Sequence, residues 1–144
     1  MEKSSFAGFL DGYKSNNIAS NKSVINYKIE EISDFLQQLI VLIQNKDNVK
    51  ELTVFLKNNI LLLQHRKMVD LIDLLISFGE SLKTSMNLLN KISETDLNVK
   101  ENVRKIIYNF AEIAKLSEDG RIINIAIGIG SSFKSFSNKS VANG

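Results

Sequence analysis

Few residues in this chain are of the types that carry out catalysis. There is a single histidine, His65 in "QHRK", and there are no cysteines. A catalytic histidine needs a nucleophile or carboxylate close by to orient it, and no serine, cysteine or carboxylate motif surrounds His65. We therefore interpret His65 as a polar residue at a helix junction, in preference to a proton shuttle or pH sensor.

Two pairs of carboxylates have helical spacing, Glu30 with Asp34 and Asp70 with Asp73. Such pairs can hold two metal ions between helices, but a four-helix di-iron site uses Glu-x-x-His on two helices. One histidine cannot complete that pattern, and without cysteine there are no thiolate ligands for zinc or an iron–sulfur cluster. We interpret the carboxylates as solvated helix faces. We expect no metal, no cofactor and no enzymatic activity.

The composition also argues against nucleotide and nucleic-acid binding. A phosphate loop places Lys-Ser/Thr directly after its glycines, whereas in "GIGSSFK" Phe133 separates the glycine-rich turn from Lys134. The net charge is +2 and no dense Lys/Arg run is present, so no nucleic-acid partner is predicted.

The apolar residues repeat with helical spacing along most of the chain. One stripe is typical of a helix that faces a core and comprises Ile25, Ile29, Ile32, Leu36, Leu39 and Ile43. Similar stripes predict a second helix over 49–60, a third over 68–89 with Gly79 inside it, and a fourth over 99–113. With the last apolar segment, the sequence predicts an all-α bundle of four to five helices with short connections and mobile termini.

The polar ends suggest a division of the chain into three parts. We expect residues 1–21 to be a mobile N-terminal segment, residues 22–136 the helical domain, and residues 137–144 a frayed tail. The first part contains one short amphipathic motif with i, i+3, i+4, i+7 spacing: Phe6, Phe9, Leu10 and Tyr13. Two turns are marginal as a free helix, so this motif either folds back on the body or docks on something else.

The stretch "INIAIGIG", residues 123–130, fits two structures. As a strand it would place four isoleucines on one face, but a lone strand in a helical chain has no partner to pair with. As a helix it forms one apolar stripe from Ile122 through Phe133 to Phe136. We therefore predict a helix.

Small residues lie beside this stripe, in the pairs Ala126 with Gly130 and Asn124 with Gly128. Small residues let another helix backbone approach closely. That backbone belongs either to this protein's own bundle or to a partner, and the sequence leaves both interpretations open.

The segment "INIAIGIGSSFKSFSNK" resembles the C-terminal signature of domain-of-unknown-function family 1641, small helical proteins of bacteria and archaea. That signature is a charged turn, an apolar helix start, Ala/Gly-apolar-Gly, and then Phe or Leu with Lys beyond. The matching residues are Ile123, Asn124, Ala126, Ile127, Gly128, Gly130 and Phe133. The chain departs from the family where "SEDG" replaces a proline-containing turn and where serines follow the second glycine.

The resemblance implies a non-catalytic accessory or scaffold subunit. Members of the family accompany formate-dehydrogenase-like or heterodisulfide-reductase-like oxidoreductases, so the expected partner is a large oxidoreductase subunit bound by protein–protein docking. The residues that we expect to take part in docking are Phe6, Phe9, Leu10, Tyr13, Asn124, Ala126, Gly128, Gly130 and Phe133.

The alternative is a helical protein that binds a membrane surface through the N-terminal motif or the last helix. Between residues 120 and 140 the charges are all positive: Arg121, Lys134 and Lys139. No secretory signal is visible and no window approaches the ~20 apolar residues of a spanning helix. We expect a cytoplasmic protein, with peripheral contact at the inner face of the membrane and a homo-oligomer both left open.

Overall fold

The computed structural model describes residues 20–136, which contain helices and no strand. The prediction of an all-α fold is confirmed. Within this range there is a single helical turn at 134–136, and six longer helices: α1 (Lys22–Ile43), α2 (Lys50–Gln64), α3 (Leu71–Thr84), α4 (Met86–Ser93), α5 (Leu97–Ser117) and α6 (Gly120–Ser132).

The predicted apolar stripes form the core. All six residues of the α1 stripe are at most 1% exposed, and they pack with the buried faces of the other helices in one hydrophobic cluster. Three fully buried aromatic residues lie in this cluster: Phe78, Phe110 and Phe133. The rings of Phe78 and Phe110 are tilted against each other with centroids 5.7 Å apart.

The two longest helices, α1 and α5, run antiparallel along their whole lengths. Lys28, near the start of α1, forms an ion pair with Glu112 near the end of α5. At the opposite end, Lys46 Nζ lies 2.8 Å from Asp96 Oδ2, just before α5 begins. Helix α2 packs on α1 and α3, and Arg66, just after α2, binds Glu30 of α1.

Helices α3 and α6 instead run parallel, although short connections favour antiparallel neighbours. Gly79 of α3 lies against Ile125 of α6, and Lys83, one turn further along α3, lies against Gly128, about one turn further along α6. The parallel arrangement is possible because α3 and α6 are not consecutive helices. Helices α4 and α5 lie between them in the chain, and α5 brings the chain back before α6 begins.

The number of helices exceeds the predicted four to five, because the helix expected over 68–89 is divided. Its break is at Ser85, where φ is −89° and ψ is 0°. The Thr84 hydroxyl donates to the Glu80 carbonyl at 2.9 Å, a back-bond of the kind that bends helices.

The third helix also begins later than predicted. Met68 is 82% exposed and lies before the helix. Helix α3 begins at Leu71, because the Asp70 side chain caps it by accepting from the Asp73 backbone N–H at 3.1 Å.

The predicted division of the chain into three parts stays a prediction. Within residues 20–136 the first long helix, α1, begins at Lys22. The N-terminal motif of Phe6, Phe9, Leu10 and Tyr13 and the tail over 137–144 lie outside the described residues.

Candidate docking surface

Helix α6 is formed by the "INIAIGIG" stretch, so the helical interpretation is confirmed. Isoleucine and glycine are poor helix formers, and the helix is held at its start by a side-chain cap. Asp119 Oδ1 accepts from the backbone N–H of Arg121 at 2.9 Å and of Ile122 at 3.4 Å. These bonds satisfy two of the amides that a helix start leaves without partners.

The cap also carries an ion pair. Arg121 Nη2 lies 3.0 Å from Asp119 Oδ2. The side-chain hydrogen bond from Arg121 is the main reason why the pKa of Asp119 lies below its ordinary value of 3.8, and backbone bonds add to it. The same hydrogen bond raises the pKa of Arg121.

A buried asparagine holds the other end of α6. The side-chain Nδ2 of Asn90, on α4, donates to the Ser132 carbonyl at 2.9 Å. Its Oδ1 accepts from the Lys134 backbone N–H, also at 2.9 Å. Asn90 is 4% exposed, and its two bonds fix the point at which the chain leaves α6.

The inner face of α6 belongs to this protein's own core. Ile122, Ile129 and Phe133 are fully buried and Ile125 is 8% exposed. Phe133, which we expected to contact a partner, is therefore part of the core and not of an exposed surface. Ala126 is partly buried against the same cluster.

The opposite side of α6 is exposed and uncharged. Asn124, Ile127 and Ser131 are exposed and Gly130 is half-buried; we call these four residues the outer face of α6. Ile127 is 61% exposed. After Arg121 the helix contains no charged residue, whereas the solvent side of a surface helix is usually charged.

The two glycines predicted for docking have different surroundings. A Cβ atom on Gly128 would lie 3.3 Å from both Cε and Nζ of Lys83, so the lysine stem covers that side of the helix. A Cβ atom on Gly130 would meet nothing within 4 Å. Gly130 therefore leaves free space on the outer face, and Gly128 marks its border with α3.

An aromatic cluster lies where α5 meets the end of α6. The Phe136 ring lies 5.0 Å from the Phe133 ring and 5.7 Å from the Tyr108 ring, centroid to centroid. Tyr108 is 54% exposed, and the Arg104 guanidinium lies 5.4 Å from the Phe136 centroid.

The residues considered for chemistry have ordinary structural surroundings. His65 is exposed just beyond α2, where its backbone N–H donates to the Leu62 carbonyl at 3.1 Å. Glu30 is bound by Arg66 and Asp70 caps α3. Over residues 20–136 no three histidine or carboxylate side chains come together in a way that could hold a metal ion.

A groove of about 390 Å³ lies between the α1–α2 turn and α4. Leu52 and Ile92 line its apolar part and Lys46 and Lys91 its polar part. Lys46 is engaged by Asp96, and Asp47 and Thr95 also line the groove.

Two of the three cations near the last helix are paired. Arg121 binds Asp119, and Lys134 Nζ lies 3.6 Å from Glu94 Oε1; Lys139 lies outside the described residues. Between Ser20 and Phe136, no helix is both long and apolar enough to cross a membrane.

Sequence reasoning missed two residues at this surface. Ile127 was not expected to contact a partner, although its position off the stripe of Ile122, Ile125 and Ile129 was the available signal. No local sequence pattern indicated the role of Asn90, because its hydrogen-bond partners lie more than 40 residues further along the chain.

The described residues thus define an all-α bundle with an uncharged, partly apolar outer face on its last long helix. The chain matches no protein-family model, no curated protein and no solved structure. The resemblance to domain-of-unknown-function family 1641 stays a prediction from the sequence signature.

Proposed function

We propose that this protein is a non-catalytic accessory subunit that binds its partner through the outer face of α6. The observation that carries the proposal is Ile127, a branched apolar side chain that is 61% exposed on a helix side without charges. Surface apolar residues are common singly, so the absence of charged neighbours on the same helix side carries as much weight as the isoleucine itself.

The energetics favour a protein partner. Covering the exposed part of Ile127 contributes about 1–2 kcal/mol, and burying an uncharged surface does not require charges to be removed from water. The open space beside Gly130 lets a partner backbone approach closely. Exposed aromatic surface at Tyr108 can extend the contact, since tyrosine is enriched at interfaces.

The sequence resemblance suggests which partner this is. We propose a large oxidoreductase subunit of the formate-dehydrogenase-like or heterodisulfide-reductase-like kind. A chain without cysteine has no thiolate to hold an iron–sulfur cluster, so redox centres would be supplied by the partner and positioning by this protein.

Affinity purification of the tagged full-length chain from its native cells, followed by mass spectrometry, tests the proposal. The expected result is stoichiometric recovery of an oxidoreductase subunit of one of these two kinds. Recovery of the chain alone, or with proteins unrelated to redox enzymes, would overturn the assignment of the partner.

Membrane-surface binding is the rival function, and sedimentation with anionic liposomes measures it directly. Because Arg121 and Lys134 are paired within the bundle, we expect little co-sedimentation. Binding to liposomes that weakens with salt and with Ile127→Asp would favour the rival.

A further inference from the structure

We propose that the N-terminal motif of Phe6, Phe9, Leu10 and Tyr13 packs on the outer face of α6 in its own chain and covers Ile127. The consequence that a partner must displace this motif rests on the function proposed above. The intramolecular contact itself does not.

The first argument is where the N-terminal chain enters the bundle. Asn21, directly before α1, donates from Nδ2 to the Leu116 carbonyl in the last turn of α5 at 2.9 Å. Helix α6 begins at Gly120, immediately after α5 ends. The segment before Ser20 therefore leaves the described structure at the corner where α5 ends and α6 begins.

The second argument is reach. Ile127 lies two helical turns from Gly120, about 10 Å along the axis of α6. The residues between Tyr13 and Ser20 span up to about 23 Å when extended. The tether is thus longer than the distance along α6, and it is short enough to keep the motif close to this surface.

The third argument is chemical match. The i, i+3, i+4, i+7 spacing of the motif predicts four large apolar side chains on one face of two helical turns. The outer face of α6 offers Ile127, the space beside Gly130 and no charged side chain of its own, with Lys83 at its border beside Gly128. Such a surface suits the apolar face of the motif, because little charge has to be removed from water.

The fourth argument is the effect of the tether on a weak contact. A two-turn helix is marginal on its own, and a few apolar contacts give weak affinity between separate molecules. A short flexible linker supplies an effective concentration in the millimolar range. A contact with a millimolar dissociation constant would therefore be about half occupied within one chain.

Paramagnetic relaxation on the full-length protein tests the contact. Because the chain has no cysteine, Asn124→Cys carries a nitroxide label on the outer face of α6 as the single thiol. The matched control is Tyr27→Cys, at an exposed position on α1. Asn124 lies about one turn after the start of α6 and Tyr27 one to two turns after the start of α1, so both labels lie near the end where the tail enters.

We expect the label at Asn124→Cys to remove most of the amide intensity of residues 6–13, because half occupancy of a contact in fast exchange still gives strong average relaxation. The label at Tyr27→Cys should remove much less. The double change Phe9→Ser, Leu10→Ser should restore these signals. It lies outside the described bundle, and unchanged amide shifts over residues 20–136 verify that the bundle remains folded.

Three results would overturn the proposal. One is equal attenuation from both labels, which a freely moving tail would give. Another is no attenuation from Asn124→Cys. The third is attenuation seen when a labelled chain without nitrogen-15 is mixed with an unlabelled nitrogen-15 chain, which would assign the surface to a second copy. None of these measurements involves the oxidoreductase partner, so they can refute the intramolecular contact without bearing on the proposed function.

Discussion

Gly79 of α3 and Ile125 of α6 are in direct contact where the two parallel helices meet. A Cβ atom on Gly79 would lie 2.7 Å from Cγ2 of Ile125 and 2.7 Å from Cζ of Phe110. Both distances are well below an ordinary carbon–carbon contact. The close approach that small residues permit inside this bundle is therefore made by Gly79, on the inner side of α6, while Gly130 remains open on its outer side.

This contact makes Gly79→Ala destabilising even though alanine is the better helix former. Overpacking a core costs typically ~1–3 kcal/mol, while the gain in helix propensity offsets about 0.5–1 kcal/mol. We expect a net loss of about 1–2 kcal/mol in the free energy of unfolding, measured by urea denaturation.

Gly130→Ala is the matched control, since it makes the same change on the neighbouring helix with no atom within 4 Å of the new Cβ. It should stabilise by about 0.5–1 kcal/mol. Equal effects of the two alanines would show that α3 and α6 are not packed as described.

Substitution of Asn90 should lower the free energy of unfolding more than substitution of most other polar residues. Asn90→Ala removes two hydrogen bonds and leaves the Ser132 carbonyl and the Lys134 amide without that partner. We expect a loss of about 1–3 kcal/mol. Asn87→Ala, at an exposed position of the same helix, should change stability by less than about 0.5 kcal/mol. Similar effects at the two positions would contradict the role of Asn90 in holding the end of α6.

Asp119 should make stability depend on pH below its ordinary pKa. Because the folded-state pKa is lowered from 3.8, its stabilising contribution is complete above that value. It is lost as the pH falls through the lower folded value. Asp119→Asn keeps a capping side chain but removes the charge. The variant should be less stable than wild type at neutral pH, and the difference should shrink in acid.

The same comparison, with and without Asp119→Asn, in an Arg121→Gln background checks whether Arg121 causes the lowered pKa of Asp119. The hydrogen bond from Arg121 is the largest reason for the lowered pKa, so without it the pH-dependent difference should diminish. A difference that persists unchanged in acid, or that is unaffected by Arg121→Gln, would contradict this account of the cap.

Much of the fold could be predicted because each helix carries its own apolar stripe. The break at Ser85 could not, since Leu82, Met86 and Leu89 keep helical spacing across it and all three are buried. Periodicity records which side faces the core and is insensitive to a local change of backbone angles.

The candidate surface was only partly predictable for a related reason. The alternating pattern of "INIAIGIG" is ambiguous between a strand and a helix, and burial in the bundle decides it. Once the helix is fixed, Ile127 points away from the buried side and Phe133 toward it. The link between Asn90 and Ser132 depends on how α4 and α6 meet, which no local pattern encodes.

The comparison of Ile127→Asp with Val54→Asp tests the central claim most directly. Val54 is 52% exposed on α2, so the control introduces the same charge at a similarly exposed branched residue on another helix. Circular dichroism first verifies that both variants remain folded, and quantitative co-purification then measures partner binding. We predict that Ile127→Asp lowers recovery of the oxidoreductase subunit by about tenfold or more, equivalent to about 1.4 kcal/mol, while Val54→Asp retains it. Equal recovery with the two variants would contradict docking through the outer face of α6.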